Sequence, residues 1–413
     1  MTSRILVLKI AAFLLVACFT AQALAQSAPR QERLLNGLKV LMWANPTADK
    51  VTITVRIHSG ASFDPQGKEG VMAILADSFF PTEASQTFFK EDLDGDLSVT
   101  TTYDYIEVKA SSKPEDFLTL LEAVSTAVST PTIDKETTPK LVAKRLELIK
   151  KLESDGSYIA DRAAARQLFG TFPYGRAAAG TEASVSKLGF ADILDAKQRF
   201  LGADNATVAI SGKFDATLGF RAARRYLGSW LKSDRIPPST FKQPEAPDTK
   251  QVTITTAADT DTETRFAFRG VSRGEKDYSA SLVLAHVLFA RLQQNDASRG
   301  AEVRNAAHIL PGYIQFGIVG TEKVPLNLPT LLLSKEISDA EFAAAHSSAA
   351  TGRAQDSAEK KWLDADTFKL TSVADDQKAF DAVTIADVRA LAQRLAKNPV
   401  VAVTVYKAVP AAN

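Results

Sequence analysis

Few residues able to do chemistry in this chain stand at spacings that would let them act together. The four histidines, His58, His286, His308 and His346, are scattered over 413 residues. No two of them stand three or four positions apart, the spacing that puts two metal ligands on one helix face. His286 lies in the apolar run Leu282-Val283-Leu284-Ala285-His286-Val287-Leu288, which suits a core or interface histidine better than a ligand. Cys18 is the only cysteine, and it falls in the first twenty residues. The rest of the chain therefore has no thiolate metal site, no cysteine nucleophile and no disulfide. No replacement metal centre is expected from these residues.

Composition bounds the function further. The chain is 45% hydrophobic and 23% charged with a formal net charge of +1, which suits a packed globular protein of about two domains. That balance offers no basic field for nucleic acid.

The first 25 residues read as an export signal. Arg4 and Lys9 precede an apolar run, Ile10 to Phe19, and Ala23-Leu24-Ala25 supplies a small-x-small cleavage site. Cleavage after Ala25 and a periplasmic location are expected. The alternative is a lipoprotein signal, in which Leu15-Val16-Ala17-Cys18 presents Cys18 for lipid attachment and the membrane becomes a partner.

The mature chain carries an internal repeat. Phe190-Ala191-Asp192-Ile193-Leu194 through Gln198-Arg199-Phe200 matches Ile385-Ala386-Asp387-Val388-Arg389 through Gln393-Arg394-Leu395. Each copy places a capping aspartate at a helix start, then apolar residues at helical spacing, then an apolar strand (Val208-Ala209-Ile210 and Val401-Ala402-Val403). Such a repeat implies two related lobes. Lys232 to Lys250 carries Pro237, Pro238, Pro244 and Pro247 without apolar periodicity, and reads as a linker with the boundary near residue 240. The expected division is a lobe over 26–235, a linker over 236–250 and a second lobe over 251–413.

In the first lobe, residues 37–43 and 51–57 alternate as strands. Residues 69–80 read as a helix, 97–108 return to strands, and 117–128 and 140–152 have helical periodicity. The fold class is α+β, two homologous lobes, each a mostly antiparallel sheet with helices on one face.

Several landmarks carry a family resemblance. Asn36-Gly37-Leu38, Gly60, Lys68-Glu69-Gly70, Phe79-Phe80-Pro81-Thr82, Phe172-Pro173-Tyr174-Gly175, Gly180 and Asn205-Ala206-Thr207-Val208 stand in sequence order. This frame resembles the insulinase/pitrilysin family of zinc peptidases, whose clamshell halves are built from two such lobes. Active members carry H-x-x-E-H on a helix at Gly70-Val71-Met72-Ala73-Ile74-Leu75-Ala76-Asp77. By this resemblance the first histidine falls at Ala73, the glutamate at Ala76 and the second histidine at Asp77. The later metal-binding glutamate falls near Glu147, in Lys144-Arg145-Leu146-Glu147-Leu148. Two alanines can neither bind zinc nor activate water, so this chain has no catalytic metal residues of its own and no cofactor is expected in it.

The resemblance also implies a substrate-binding arginine and tyrosine in the second lobe, here Arg304 and Tyr313. A guanidinium and a phenol can donate hydrogen bonds to a developing oxyanion. The alternative for the pair is a surface arginine and a core tyrosine. In two-chain members one subunit holds zinc and the other supplies the arginine and tyrosine. The expected function is therefore a zinc-free subunit that pairs as a heterodimer with a zinc-bearing homologue around an unfolded peptide. Such a chain is not a peptidase alone. The second reading is a catalytically inactive peptide-binding or scaffold protein of the same fold.

Overall fold

The computed structural model describes residues 28–233, 241–294, 300–320 and 324–408. The signal segment with Cys18 and the lobe boundary near residue 240 lie outside the described residues.

The first sheet contains β1 (Arg30–Arg33), β2 (Lys39–Ala44), β3 (Val51–Ile57), β4 (Leu97–Thr101), β5 (Ile106–Ser112) and β6 (Ala206–Gly212), in the order β1-β2-β6-β3-β5-β4. The second contains β7 (Val252–Thr256), β8 (Glu263–Arg269), β9 (Glu302–Ala306), β10 (Tyr313–Val319) and β11 (Val401–Lys407), in the order β7-β11-β8-β10-β9. With β1 set aside the two orders are the same. In both sheets one pair is parallel, β2 with β6 and β7 with β11, and the other pairs are antiparallel.

The helices of the first half are α1 (Val71–Asp77), α2 (Glu83–Glu91), α3 (Phe117–Ser129), α4 (Thr137–Leu152), α5 (Gly156–Phe169), α6 (Glu182–Val185), α7 (Phe190–Phe200) and α8 (Ala216–Leu227). Those of the second are α9 (Tyr278–Gln293), α10 (Leu328–Ser334), α11 (Asp339–Gln355), α12 (Ala358–Thr367), α13 (Val373–Asp381) and α14 (Ile385–Leu395).

The repeat seen in the sequence is α7 followed by β6, and α14 followed by β11. Asp192 and Asp387 sit one turn inside their helices rather than at the cap itself. Each accepts the backbone N–H three residues before it, Gly189 and Thr384, at 2.9 Å. The helix expected over 69–80 is shorter. Gly70 precedes α1 with φ of 98°, and a Cβ there would stand 2.9 Å from the Val185 side chain, so only glycine fits the turn. Asp64 caps α1 from the preceding loop, accepting the N–H of Gly70 at 2.7 Å and of Met72 at 2.9 Å. Burial pushes the Asp64 carboxyl up to about 7, against the pull of these two bonds.

Strand alternation gives each sheet two apolar faces. In the first sheet Val40, Met42, Val208 and Ile210 join α1 and α3 in the main core, whereas Leu41 and Ala209 point the other way and meet Leu363 of α12. In the second sheet Phe266, Phe268 and Ala402 face α9 and α14. Ala267, Val401, Val403 and Val405 face Ala160, Ala164 and Leu168 of α5. Helices were expected on one face of each sheet. The other face is also covered, and by a helix from the opposite half of the chain, because these strands alternate between two apolar sets rather than between apolar and polar.

Each exchanged helix is pinned by a buried arginine at the centre of the sheet it covers. Arg56 of β3, 2% exposed, donates to Asp364 of α12 and to Glu107, each at 2.6 Å. Arg265 of β8, also 2% exposed, donates to Asp161 of α5 at 2.6 Å, to Ser157 at 2.6 Å and to Glu263 at 2.8 Å. The linker residues after 240 follow the same junction, with Phe241 against Phe63 (5.5 Å between ring centres) and Asp248 donating its N–H to Gln167 at 3.0 Å.

Removing Asp161 or Asp364 leaves a buried guanidinium short of an anion. Asp161→Ala and Asp364→Ala are each expected to cost roughly 3 kcal/mol in chemical denaturation. Burial alone would raise the Asp161 carboxyl, but Arg304 and Arg265 outweigh it and hold it below the usual carboxylate range. Its contribution is therefore complete at neutral pH and fades as pH falls below about 4.

Candidate functional site

The residues at the three zinc-motif positions come together at the surface of α1. Ala73 and Ala76 are 1% and 2% exposed and offer no donor. Asp77 is taken by Arg145 of α4, whose Nε donates to Asp77 Oδ2 at 2.8 Å, while Nη2 approaches the same oxygen at 2.5 Å and donates to the Ala73 carbonyl at 3.0 Å. Arg145 therefore cross-links α1 and α4. It belongs to the buried row Leu141, Arg145, Ile149 of α4, whose four-residue spacing faces α1. Glu147, expected as the survivor of the later metal ligand, is exposed. Two residues along a helix is more than half a turn, so Glu147 points away from Asp77 and the two acids do not converge.

These donors do not fit a zinc ion. Two of the three motif positions carry methyl groups, and the third is neutralised by a guanidinium that leaves no net negative charge for a dication. Among the described residues no group of three or more histidine, cysteine, aspartate or glutamate side chains could hold a metal. The histidines are dispersed. His58 bonds Thr207 and Thr367 at 3.0 Å each, His286 bonds Ser348 at 3.1 Å, His346 stacks on Phe380, and His308 pairs with Asp104 at 2.7 Å.

Arg304 and Tyr313 line the same cleft as Ala73, Ala76 and Asp77, a space of about 410 Å³ between the lobes. They lie on adjacent strands, Arg304 opposite Gln315 and Tyr313 opposite Ala306. The connection between them is anchored to the first lobe, because Asp104 also accepts the Ile309 N–H at 3.1 Å and Tyr174 accepts the Leu310 N–H at 3.1 Å. Arg304 is 44% exposed along its side chain and donates to Asp161 Oδ2 at 2.5 Å. Tyr313 is 8% exposed, and burial raises its phenol above the ordinary value despite the neighbouring Arg304. It therefore stays protonated and able to donate. A second space of about 550 Å³ continues from the first, sharing Ala76, Asp77 and Val99 and running between β4 and α2.

The cleft brings together Ala73, Ala76, Asp77, Arg304 and Tyr313, which the sequence singles out, with Arg145, Asp161 and Arg162, which it does not. A signal for Arg145 exists. A cation in the apolar row of an amphipathic helix needs a buried anion, and Asp77 was the acid standing where a histidine was due.

With this geometry in view the comparisons with known proteins are specific. Residues 39–182 match the model of the insulinase family, peptidase M16, and residues 187–307 match the model described as the peptidase M16 inactive domain. The chain belongs to the insulinase family. It lacks that family's zinc motif.

Many solved structures share its fold, among them the following three. A peptidase M16 inactive domain from Pseudomonas fluorescens has a TM-score of 0.78 at 16% identity, covering 92% of this chain and 98% of that one. A protease from Helicobacter pylori gives 0.78 at 14% identity, with 92% and 99% covered. The periplasmic protease PqqL from Escherichia coli gives 0.73 at 14% identity, with 94% of this chain but 49% of that one covered. At these identities the likeness is one of fold, the two-lobe half of the family's clamshell. None of the curated proteins compared with the chain matches it.

Burial raises the Asp77 carboxyl and Arg145 pulls it back, leaving it above its ordinary value. Arg145→Met should raise it further, which a carboxyl NMR titration reads directly. A carboxyl whose pKa is higher in the folded state contributes stability that is lost as pH rises through that value. The Met variant is therefore expected to show a small stability deficit near pH 4 and a larger one at pH 8.

Proposed function

We propose that this chain is an exported, zinc-free subunit of a two-chain insulinase-family peptidase. It pairs with a zinc-bearing homologue, forms half of the chamber around an unfolded peptide, and supplies Arg304 and Tyr313 to bind it. One observation carries the reading. The metal position is filled by the Arg145–Asp77 ion pair, while Arg304 and Tyr313 still line the cleft beside it.

The chemistry follows from what the two groups can donate. Arg304 is half exposed and permanently charged, and the phenol of Tyr313 is protonated. Together they can hold a peptide carbonyl and the negative charge that develops on it, provided a partner delivers the metal and its water. The chain spans about half the length of the Escherichia coli periplasmic protease, which supports one half of a larger enclosure. The signal-type N-terminus supports a periplasmic location, with membrane attachment only through a lipidated Cys18.

A second reading has its own support. Arg304 is held by Asp161 of the same chain, and the two adjoining clefts follow β4, the outer strand of the first sheet. An extended peptide could add to that edge and be held without being cut.

Co-expression with a homologue carrying an intact H-x-x-E-H motif separates the two. The subunit reading expects co-elution and partner-dependent cleavage of an unstructured peptide. Arg304→Ala and Tyr313→Phe should each lower that rate, on the order of 10²-fold for a lost oxyanion donor, with assembly intact. An unchanged rate favours peptide holding, and failure to associate contradicts the subunit reading.

A further inference from the structure

We propose that the cleft between the lobes is a carboxylate-binding site, which captures an acidic group of the peptide through Arg145 on the first lobe and Arg304 on the second. The inference rests on the reading of this cleft as a peptide chamber and adds the chemical class it selects.

Three arginines reach the cleft from three different elements: Arg145 from α4, Arg162 from α5 and Arg304 from β9. The acids in its lining are Asp77 and Asp161. Glu153, which pairs with Arg162 at 2.7 Å, is not part of that lining. Each arginine is paired with one acid, Arg145 with Asp77, Arg304 with Asp161 and Arg162 with Glu153, so the cleft gathers three guanidinium groups at balanced charge.

What distinguishes the cleft is the set of guanidinium donors that these pairs leave unused. Arg145 spends Nε and Nη2 on Asp77 and Ala73, and among the described residues its Nη1 has no protein acceptor. Arg304 spends Nη2 on Asp161, and among the described residues its Nε and Nη1 have none. A guanidinium in a half-closed cleft retains strong unused donors, and its planar fork matches the two oxygens of a carboxylate. Tyr313 adds a protonated phenol on the same wall.

A peptide source fits better than a free anion because the cleft continues into the groove along β4. An extended chain lying on that edge would bring its acidic group into the arginines as a tethered neighbour. The carboxylate could be an aspartate or glutamate side chain or the peptide's own C-terminus, since both present the same two oxygens.

The test is fluorescence anisotropy on the full-length chain at low salt with four versions of one labelled, unstructured peptide. These carry a central Glu or Gln, each with a free or an amidated C-terminus. The peptide with neither carboxylate is expected to bind about tenfold more weakly than the best of the others, the size of one charge-assisted pair. The gap should shrink as salt rises. A gap that follows amidation identifies the C-terminus as the ligand, and one that follows Glu→Gln identifies the side chain.

Arg304→Met should close the gap, and Arg304→Lys should restore only part of it. Because Arg304 is half exposed these variants keep the fold, whereas Arg145→Met also loosens α1 from α4 and serves as a second check. Equal and measurable binding of all four peptides, or a gap that survives both Met variants, overturns the carboxylate site and leaves the peptide chamber standing. No measurable binding of any peptide also overturns the carboxylate site, and the subunit reading then stands or falls on the co-expression assay.

Discussion

Two buried arginines hold the molecule in its working shape. Arg56 and Arg265 stand on equivalent strands of the two sheets, β3 and β8, each 2% exposed and each paired with an aspartate on a helix from the other half. Each guanidinium also pairs with a glutamate of its own sheet, Glu107 or Glu263, and losing any partner of so buried a charge is costly. The pairs therefore act as a registry device, fixing α5 on the second sheet and α12 on the first. The apolar contacts around Leu363 and around Ala160, Ala164 and Leu168 add area to a placement the charges have already specified. One of the two devices doubles as site architecture, because Asp161 holds Arg265 with one oxygen and Arg304 with the other.

The same exchange of charge explains how the metal site was closed. A zinc ion would bridge two helices and lower the pKa of its water. Arg145 does the first of these, tying α1 to α4 through Asp77 and the Ala73 carbonyl. It cannot do the second, since a guanidinium supplies charge and hydrogen bonds but no open coordination position. What remains is a cleft lined by Arg145, Arg162, Arg304 and Tyr313, with an ion pair at the zinc-motif positions.

Much of this was legible in the residues. Alternation and helical spacing placed the strands over 51–57 and 206–212 and the helices over 117–129 and 137–152 to within a few positions. The repeat of α7–β6 in α14–β11 announced the duplication that the matching strand orders display. The landmarks from Asn36 to Val208 pointed to the insulinase family. The helix exchange was not legible, because Ala160, Ala164 and Leu168 look like any amphipathic stripe and nothing local says which sheet they cover. The resemblance points to Glu147 as the place of the later metal-binding glutamate, whereas the phase of the row Leu141, Arg145, Ile149 buries the cation instead. Tertiary pairing decided both points, and pairing across more than sixty residues leaves no periodic trace.

Metal content tests the central claim most directly. The full-length chain, purified and then dialysed against excess zinc at neutral pH before chelator-free desalting, should retain well under one equivalent by mass spectrometry, with Asp77 still paired to Arg145. Retention of one zinc per chain, lost on Asp77→Ala, would contradict the account.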